Sequence, residues 1–321
     1  MPRKIVVTTT SWGLPGGGDP ARNLTLAESL LDAAGSQRPD LVCLPETFPH
    51  IGVPSARASD SAETIPGPTF DLLAGKARQY GMNVVGGLFE LRGEQIFNTA
   101  CVIDRQGHLI GQYDKVHPTI NEISGGVMPG VRPLVFDTDI GRIGVAICYD
   151  IGWPDIWSEL DRLGAELVVW PSAYDGGFPL QTYAWRHFYY IVTSVWSYHS
   201  RILDVTGEIL DSTSRFSRLV TQEIDLEKQV FHTDGHTLKL LEMATHLGRR
   251  VSLHACTEEH IFTLASNDPT LSVERIVHDF GLESFRVYHR RAERVQEAAR
   301  DAAARAGASP RALAGIAGGE R

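Results

Sequence analysis

Strand and helix signals alternate along roughly the first 225 residues, and this alternation constrains the fold more than any other feature. Short β-branched or aliphatic runs predict strands, and apolar residues at helical spacing predict helices between them. One helical stripe covers Ala27–Ala34 and ends at Gly35. Another covers Phe70–Ala77, with Thr69 as candidate N-cap and Gly81 as its stop. The predicted strands are Ile5–Thr9, Leu41–Leu44, Asn83–Leu88, Ala100–Ile103, Leu109–Tyr113, Leu134–Phe136, Arg142–Ile147 and Leu167–Trp170. This pattern is typical of a layered α/β architecture.

Two pairs of segments resemble each other. Val102–Ile110 is similar to Ile202–Leu210, and each predicts a hairpin with a glycine at its turn. Asp40–Pro45 is similar to Glu166–Pro171. Chance similarity would explain either pair alone. Because both pairs occur in the same order, we favour two similar half-layers that pack sheet against sheet.

The alternation stops after Leu219–Ile224, which sets the predicted domain boundaries. Residues 1–226 are predicted to form one domain. Residues 227–300 look mostly helical with charged faces, an extension expected to wrap that domain or a partner subunit. Residues 301–321 are rich in Ala, Gly and Arg, and we expect a disordered tail.

Net charge and cysteine content limit the kinds of partner and the cellular compartment that we expect. The net charge of −9 argues against nucleic acid or an anionic membrane as a partner. The amino terminus lacks a signal-peptide pattern, and no apolar run is long enough to span a bilayer. The chain has 4 cysteines, widely spaced and without a CxxC pair, which favours free thiols. We therefore expect a cytoplasmic protein.

Cys148 ends the apolar run Ile143–Cys148, and a helix is predicted to begin just beyond it. The end of a strand beside a helix amino terminus is where α/β proteins place their chemistry. The helix dipole there would favour a thiolate over a thiol. The alternative is that Cys148 is a small core residue, as most lone cysteines are.

Three polar residues share this setting. Glu46 follows the strand Leu41–Leu44, Lys115 follows Leu109–Tyr113, and Glu122 lies in a Gly-rich loop. If the strands are parallel neighbours, Glu46, Lys115 and Cys148 converge at one edge of one sheet. A carboxylate can take the proton of an attacking thiol, and a lysine can stabilise the oxyanion. Taken singly, each would be read as a solvated surface group.

Three segments resemble the signature blocks of the nitrilase superfamily of carbon–nitrogen hydrolases: Leu44–Phe48, Tyr113–His117 and Ile147–Asp150. Their order and spacing match, and the similarity spans roughly residues 4–226. The resemblance implies a four-layer α-β-β-α sandwich. It also implies catalysis by Glu46, Lys115 and Cys148, a supporting role for Glu122, no metal or organic cofactor, and a homodimer or higher homo-oligomer.

The departures from the family pattern concern the substrate. Tyr149-Asp150 after the cysteine is closer to the amidase and carbamoylase branches than to nitrilases, which usually have Trp-Glu. Gly152 stands where those branches often have an arginine, and Tyr183–His187 lacks a Glu-Asn pair that many members carry. The resemblance therefore indicates a small-molecule amide or N-carbamoyl substrate.

The sequence thus predicts hydrolysis of a non-peptide amide or N-carbamoyl bond through a cysteine thioester. Nitrile hydrolysis by the same residues is the alternative, and a catalytically silent binding subunit is the alternative of another class. The histidines fit no metal-binding spacing, so no metal site is predicted. The predicted pocket walls are Tyr149, Trp153, Ser172 and Tyr174.

Overall fold

The structure, a computed structural model, describes residues 2–13, 18–53 and 57–305. The chain divides into two compact units. We call Lys4–Leu226 the core unit; the described parts of Met1–Arg3 and Glu227–Arg321 form the C-terminal unit. No helix in the described ranges is both long and apolar enough to cross a membrane.

The core unit contains two sheets. The first has the order β13-β1-β2-β3-β4-β5, with β6 paired to β4, and the second has the order β12-β11-β10-β9-β8-β7. The strands of the first sheet are β1 Lys4–Thr10, β2 Leu41–Cys43, β3 Asn83–Arg92, β4 Gln95–Ile103, β5 Leu109–Asp114, β6 Val127–Met128 and β13 Leu219–Asp225. Those of the second are β7 Leu134–Thr138, β8 Gly141–Val145, β9 Leu167–Ser172, β10 Tyr190–Val195, β11 Arg201–Leu203 and β12 Ile209–Ser212.

Helices cover the outer faces of the two sheets. α1 and α3 pack against the first sheet, while α5 and α6 pack against the second, each pair in its own apolar core. The sheets face each other directly, and the Ser194 hydroxyl on β10 donates to the Thr10 carbonyl on β1 at 2.6 Å. The helices are α1 Pro20–Gly35, α2 Ala58–Ser61, α3 Pro68–Tyr80, α4 Ile120–Ser124, α5 Pro154–Arg162 and α6 Phe178–His187. The predicted four-layer α-β-β-α sandwich is confirmed.

The two sheets repeat one topology. β1, β2 and β3 pair in parallel and continue into antiparallel β4 and β5; β8, β9 and β10 likewise continue into antiparallel β11 and β12. Gly107 and Gly207 turn the two matching hairpins with φ of 79° and 80°. The repeat predicted from the two pairs of similar segments is therefore present in the fold.

Two local predictions were wrong. The strand predicted to reach Ile147 ends at Val145, and Cys148 is the first residue of a 3₁₀ helix, Cys148–Gly152, rather than the end of a strand. The N-cap of α3 is Gly67 rather than Thr69. The Thr69 N–H is satisfied instead by the Glu63 carboxylate at 2.8 Å, a partner six residues away that helix-start patterns do not specify.

The C-terminal unit contains a sheet that the helical prediction for residues 227–300 did not include. Its three antiparallel strands have the order β14-β16-β15. Its elements are β14 Gln229–His232, α7 Thr237–Leu247, β15 Val251–Cys256, β16 Ile261–Ser266, α8 Val273–Asp279 and α9 Phe285–Arg305. α9 extends into the predicted disordered tail as far as Arg305, so residues 301–305 correct that prediction. The rest of the tail lies outside the described residues.

Gly87 on β3 is required for close packing against the segment that carries Glu46. A Cβ at Gly87 would lie 2.8 Å from the Thr47 nitrogen and 3.0 Å from the Glu46 Cα, both backbone atoms. We expect Gly87→Ala to lower the free energy of unfolding by about 1–3 kcal/mol, measured by urea denaturation. Gly75→Ala in α3, where a Cβ meets nothing within 4 Å, is the matched control and should be neutral or stabilising. Equal urea midpoints for Gly87→Ala and Gly75→Ala would contradict the role of Gly87 in close packing.

Candidate active site

The residues predicted to act together come from both sheets. Glu46 follows β2 and Lys115 follows β5, and the pairing makes these two strands run in the same direction. Cys148 follows β8 of the second sheet. The expectation that all three converge at one edge of one sheet is therefore wrong. They meet across the sandwich, because the chain passes from one half of the repeat to the other between Lys115 and Cys148.

Lys115 lies between two carboxylates. Its Nζ donates to Glu46 Oε1 at 2.8 Å and to Glu122 Oε2 at 2.8 Å. The side chain is 1% exposed. Burial favours the neutral amine, but the charges of Glu46 and Glu122 outweigh it and raise the pKa of Lys115. The residue is a fixed ammonium inside the site.

Asn98 on β4 holds both carboxylates and was missed by sequence reasoning. Its Nδ2 donates to Glu46 Oε1 at 2.6 Å and to Glu122 Oε1 at 2.7 Å. Its backbone carbonyl accepts from the Lys115 N–H at 2.9 Å. The available signal was an asparagine among the mostly apolar residues of a strand, where this residue type is depleted.

Glu122 lies in the short helix α4 rather than in a loop. Thr119 and Glu122 form a reciprocal capping box, in which the Glu122 carboxylate accepts from the Thr119 N–H at 2.7 Å. Burial raises the pKa of Glu122, but Lys115, the Thr119 N–H and Asn98 outweigh it and lower that pKa overall. The Thr-x-x-Glu spacing is a recognised helix-start signal and could have located α4.

Cys148 is a buried thiol rather than the predicted thiolate. Burial, and then the charge of Glu46, raise the pKa of Cys148, while Lys115, the Ser172 hydroxyl and the Ala173 N–H oppose this only in part. The 3₁₀ helix that begins at Cys148 is five residues long, and its dipole does not overcome desolvation. Glu46 Oε2 is buried and has no hydrogen-bond partner among the described residues. That free oxygen makes Glu46 the available acceptor for the thiol proton.

Asp150 joins the Cys148 segment to the Lys115 segment. Its fully buried carboxylate accepts from the Ile147 N–H at 2.9 Å, the His117 N–H at 2.8 Å and the Tyr113 hydroxyl at 2.8 Å. Ile147 precedes the cysteine, while Tyr113 and His117 flank Lys115. Asp150 therefore fixes the register between the two sheets at the site. Cys148 itself has φ of +46°, a left-handed conformation that costs a non-glycine residue energy.

One cavity of about 190 Å³ brings Glu46, Lys115, Glu122 and Cys148 together. Its remaining lining residues are Thr47, His50, Phe89, Thr119, Ala173 and Trp196. The Trp196 Nε1 donates to the Glu46 carbonyl at 2.6 Å, which ties the second sheet to the loop after β2. None of these six was predicted as a site residue, although Thr47, Thr119 and Ala173 lie within three positions of residues that were.

None of the four predicted pocket walls is among the residues that line this cavity. The Ser172 hydroxyl is buried, contacts Cys148 and donates to the Tyr174 carbonyl at 2.8 Å. Tyr174 is 43% exposed; burial and the charge of Glu46 raise its pKa to about 12. Trp153 stacks on His117 with the ring centroids 3.9 Å apart, and Tyr149 packs edge-on against Trp153. Their role as walls stays a prediction.

The sequence and the fold of this chain are similar to those of known proteins. The carbon–nitrogen hydrolase family model matches residues 8–229. The omega-amidase NIT2 of Bos taurus is 28% identical over 239 residues, covering 65% of this chain and 84% of that protein. A deaminated glutathione amidase of Synechocystis is 33% identical over 166 residues, covering 47% and 61%.

A chloroplastic omega-amidase of Arabidopsis thaliana and a nitrilase/nitrile hydratase of Nicotiana tabacum are matched over 64% and 50% of their own lengths. Among solved structures, Saccharomyces cerevisiae Nit3, a member of branch 10 of the nitrilase superfamily, has the same fold. Its TM-score is 0.62 at 23% identity, with 77% of this chain and 96% of that chain covered.

Stability at acid pH should depend on Glu122. Its pKa is lowered on folding from 4.5, so its contribution is complete above pH 4.5 and is lost as the pH falls through the lowered value. We expect Glu122→Gln to be less stable at pH 7 and to lose less stability than the wild type between pH 4.5 and pH 3, measured by urea unfolding. The exposed Glu94→Gln should follow the wild type. If the free energy of unfolding changed with pH in the same way for wild type and Glu122→Gln, the lowered pKa of Glu122 would not contribute to stability, and the prediction would be contradicted.

Proposed function

The chain belongs to the carbon–nitrogen hydrolase family, and on that premise we propose that it hydrolyses a non-peptide amide or N-carbamoyl bond through a thioester on Cys148. The observation that carries the proposal is the buried Glu46–Lys115–Glu122 cluster in the same cavity as the Cys148 thiol. This arrangement supplies a nucleophile, a proton acceptor and a fixed cation within one small enclosure. The relatives named as amidases and omega-amidases agree with amide chemistry.

In the first step, the Cys148 sulfur attacks the carbonyl carbon and its proton passes to Glu46. Because the resting group is a thiol with a raised pKa, the base must act during the attack. The free Glu46 Oε2 is suited to this task. Glu46 then returns the proton to the leaving amine or ammonia, and a water molecule activated by Glu46 releases the acid from the thioester.

The oxyanion of the tetrahedral intermediate needs donors that are already in place. Lys115 uses two of its three N–H bonds on Glu46 and Glu122, which leaves one for the substrate oxygen. The Tyr149 N–H lies in the first turn of the 3₁₀ helix, where backbone donors have no partner within the helix. We propose that these two donors form the oxyanion hole. Glu122 and Asn98 act through Lys115 and Glu46 and are positioning residues.

We assign catalysis to the core unit. A homodimer or higher homo-oligomer, wrapping by the extension, and a cytoplasmic location stay predictions; truncation after residue 226 followed by sizing tests the first two. The thiols of Cys43, Cys101 and Cys148 are free, which agrees with a reducing compartment.

Cys148→Ala should reduce ammonia or amine release by about 10³-fold or more, because no other group can form the thioester. The measurement is ammonia release from a panel of amides, N-carbamoyl compounds and nitriles, with mass spectrometry of a trapped acyl-enzyme. Cys101→Ala, which removes a different buried thiol, should keep its activity. Release from nitriles but from no amide would replace the proposal with nitrile hydrolysis. A folded wild type without any turnover would favour a binding subunit.

Asn98→Ala should lower kcat by roughly 10–100-fold with a smaller change in KM, as expected for loss of a charge-assisted hydrogen bond. The hydrogen bond from Asn98 lowers the pKa of Glu122, so the acid limb of the pH–rate profile should move to higher pH. The exposed Asn121→Ala on α4 is the control and should leave the profile unchanged. An unshifted acid limb in Asn98→Ala would limit Asn98 to a structural role.

A further inference from the structure

The described lining of the active-site cavity carries an excess of negative charge. Glu46 and Glu122 supply two carboxylates, and Lys115, hydrogen-bonded to both, supplies one ammonium. With Cys148 as a thiol, these groups sum to one net negative charge. Transfer of the thiol proton to Glu46 moves the charge to sulfur but leaves the total unchanged. The excess therefore persists at both stages of the attack.

Among the described lining residues, only His50 could add a positive charge. Its Nδ1 already lies 2.5 Å from the Ser61 hydroxyl, and its ring packs edge-on against Phe89. No arginine occurs in this part of the lining.

The rest of the lining is apolar or uncharged. Phe89, Ala173 and Trp196 offer carbon surface, while Thr47 and Thr119 offer only neutral groups. The volume of about 190 Å³ admits a short acyl chain, below the usual range for drug-sized ligands. A carboxylate on that chain would be held close to Glu46 and Glu122, and the Lys115 ammonium is already hydrogen-bonded to both of them. Such a like charge disfavours the wrong ligand.

We propose that this site selects amides with short, uncharged or cationic acyl groups and rejects those whose acyl group carries a carboxylate. The inference rests on the proposed function for its substrate, but the charge selection itself belongs to the cavity around Cys148. It is therefore open to a probe that needs no turnover.

Alkylation of Cys148 provides that probe, with neutral iodoacetamide and anionic iodoacetate as a pair of similar size that differ in charge. In both reactions the thiol proton passes to Glu46, the sulfur forms a bond to the methylene carbon, and iodide leaves. Rates are followed by mass spectrometry, with Cys148→Ala to identify labelling elsewhere. We expect the preference for iodoacetamide at Cys148 to exceed that of free N-acetylcysteine by at least tenfold. An equal or reversed preference would overturn the proposal.

Charge-removing variants test the cause of the preference. Glu122→Gln removes one negative charge from the cavity and should reduce the preference by at least threefold. Glu94→Gln removes one from an exposed turn and should leave it unchanged. An undiminished preference in Glu122→Gln would mean that shape rather than charge discriminates, and it too would overturn the proposal.

The substrate comparison uses the four-carbon amides butyramide and succinamate. We expect kcat/KM for butyramide to be at least tenfold higher, and equal or faster turnover of succinamate would overturn the charge selection. Absence of hydrolysis of every amide and carbamoyl compound would reject the proposed function, while the alkylation preference would still decide the charge selection. The two failures are therefore distinguishable.

Discussion

The candidate active site depends on one buried interaction, the Lys115 ammonium held between the carboxylates of Glu46 and Glu122. Burying three charged groups is costly unless each finds partners, and removing one partner leaves an uncompensated charge. Asn98 meets this requirement by donating to both carboxylates, and the capping box at Thr119 holds Glu122 from the other side. The arrangement explains why strand ends, a short helix and a buried asparagine must all be placed together.

The repeat of one topology in two facing sheets brings the Glu46–Lys115–Glu122 cluster to the Cys148 thiol. Glu46 and Lys115 belong to the first sheet and Cys148 to the second, so neither half of the repeat contains a complete site. Asp150 spans the junction by accepting from the Ile147 N–H on one side and from Tyr113 and His117 on the other. Face-to-face packing of the sheets is thus a requirement for chemistry as well as for the core.

The protonation state of Cys148 changes how catalysis is understood. A strand-end cysteine beside a helix would ordinarily be expected to ionise readily. Here burial and the charge of Glu46 raise its pKa, and the acceptor for its proton is part of the same cavity. In the proposed mechanism, activation of the nucleophile therefore coincides with attack.

The sequence by itself determined the layered α/β class and the repeat, and it selected Glu46, Lys115 and Cys148 as candidate catalytic residues, since these inferences depend on local periodicity and on three motifs in a fixed order. Thr119 and Glu122 also carried a local signal for α4. Tertiary structure alone decided the rest. Asn98, Asp150 and Trp196 act through contacts between segments far apart in the chain, such as Asn98 with Glu46 across 52 positions. The pKa of Cys148 likewise follows from burial and neighbouring charge, which no local pattern specifies.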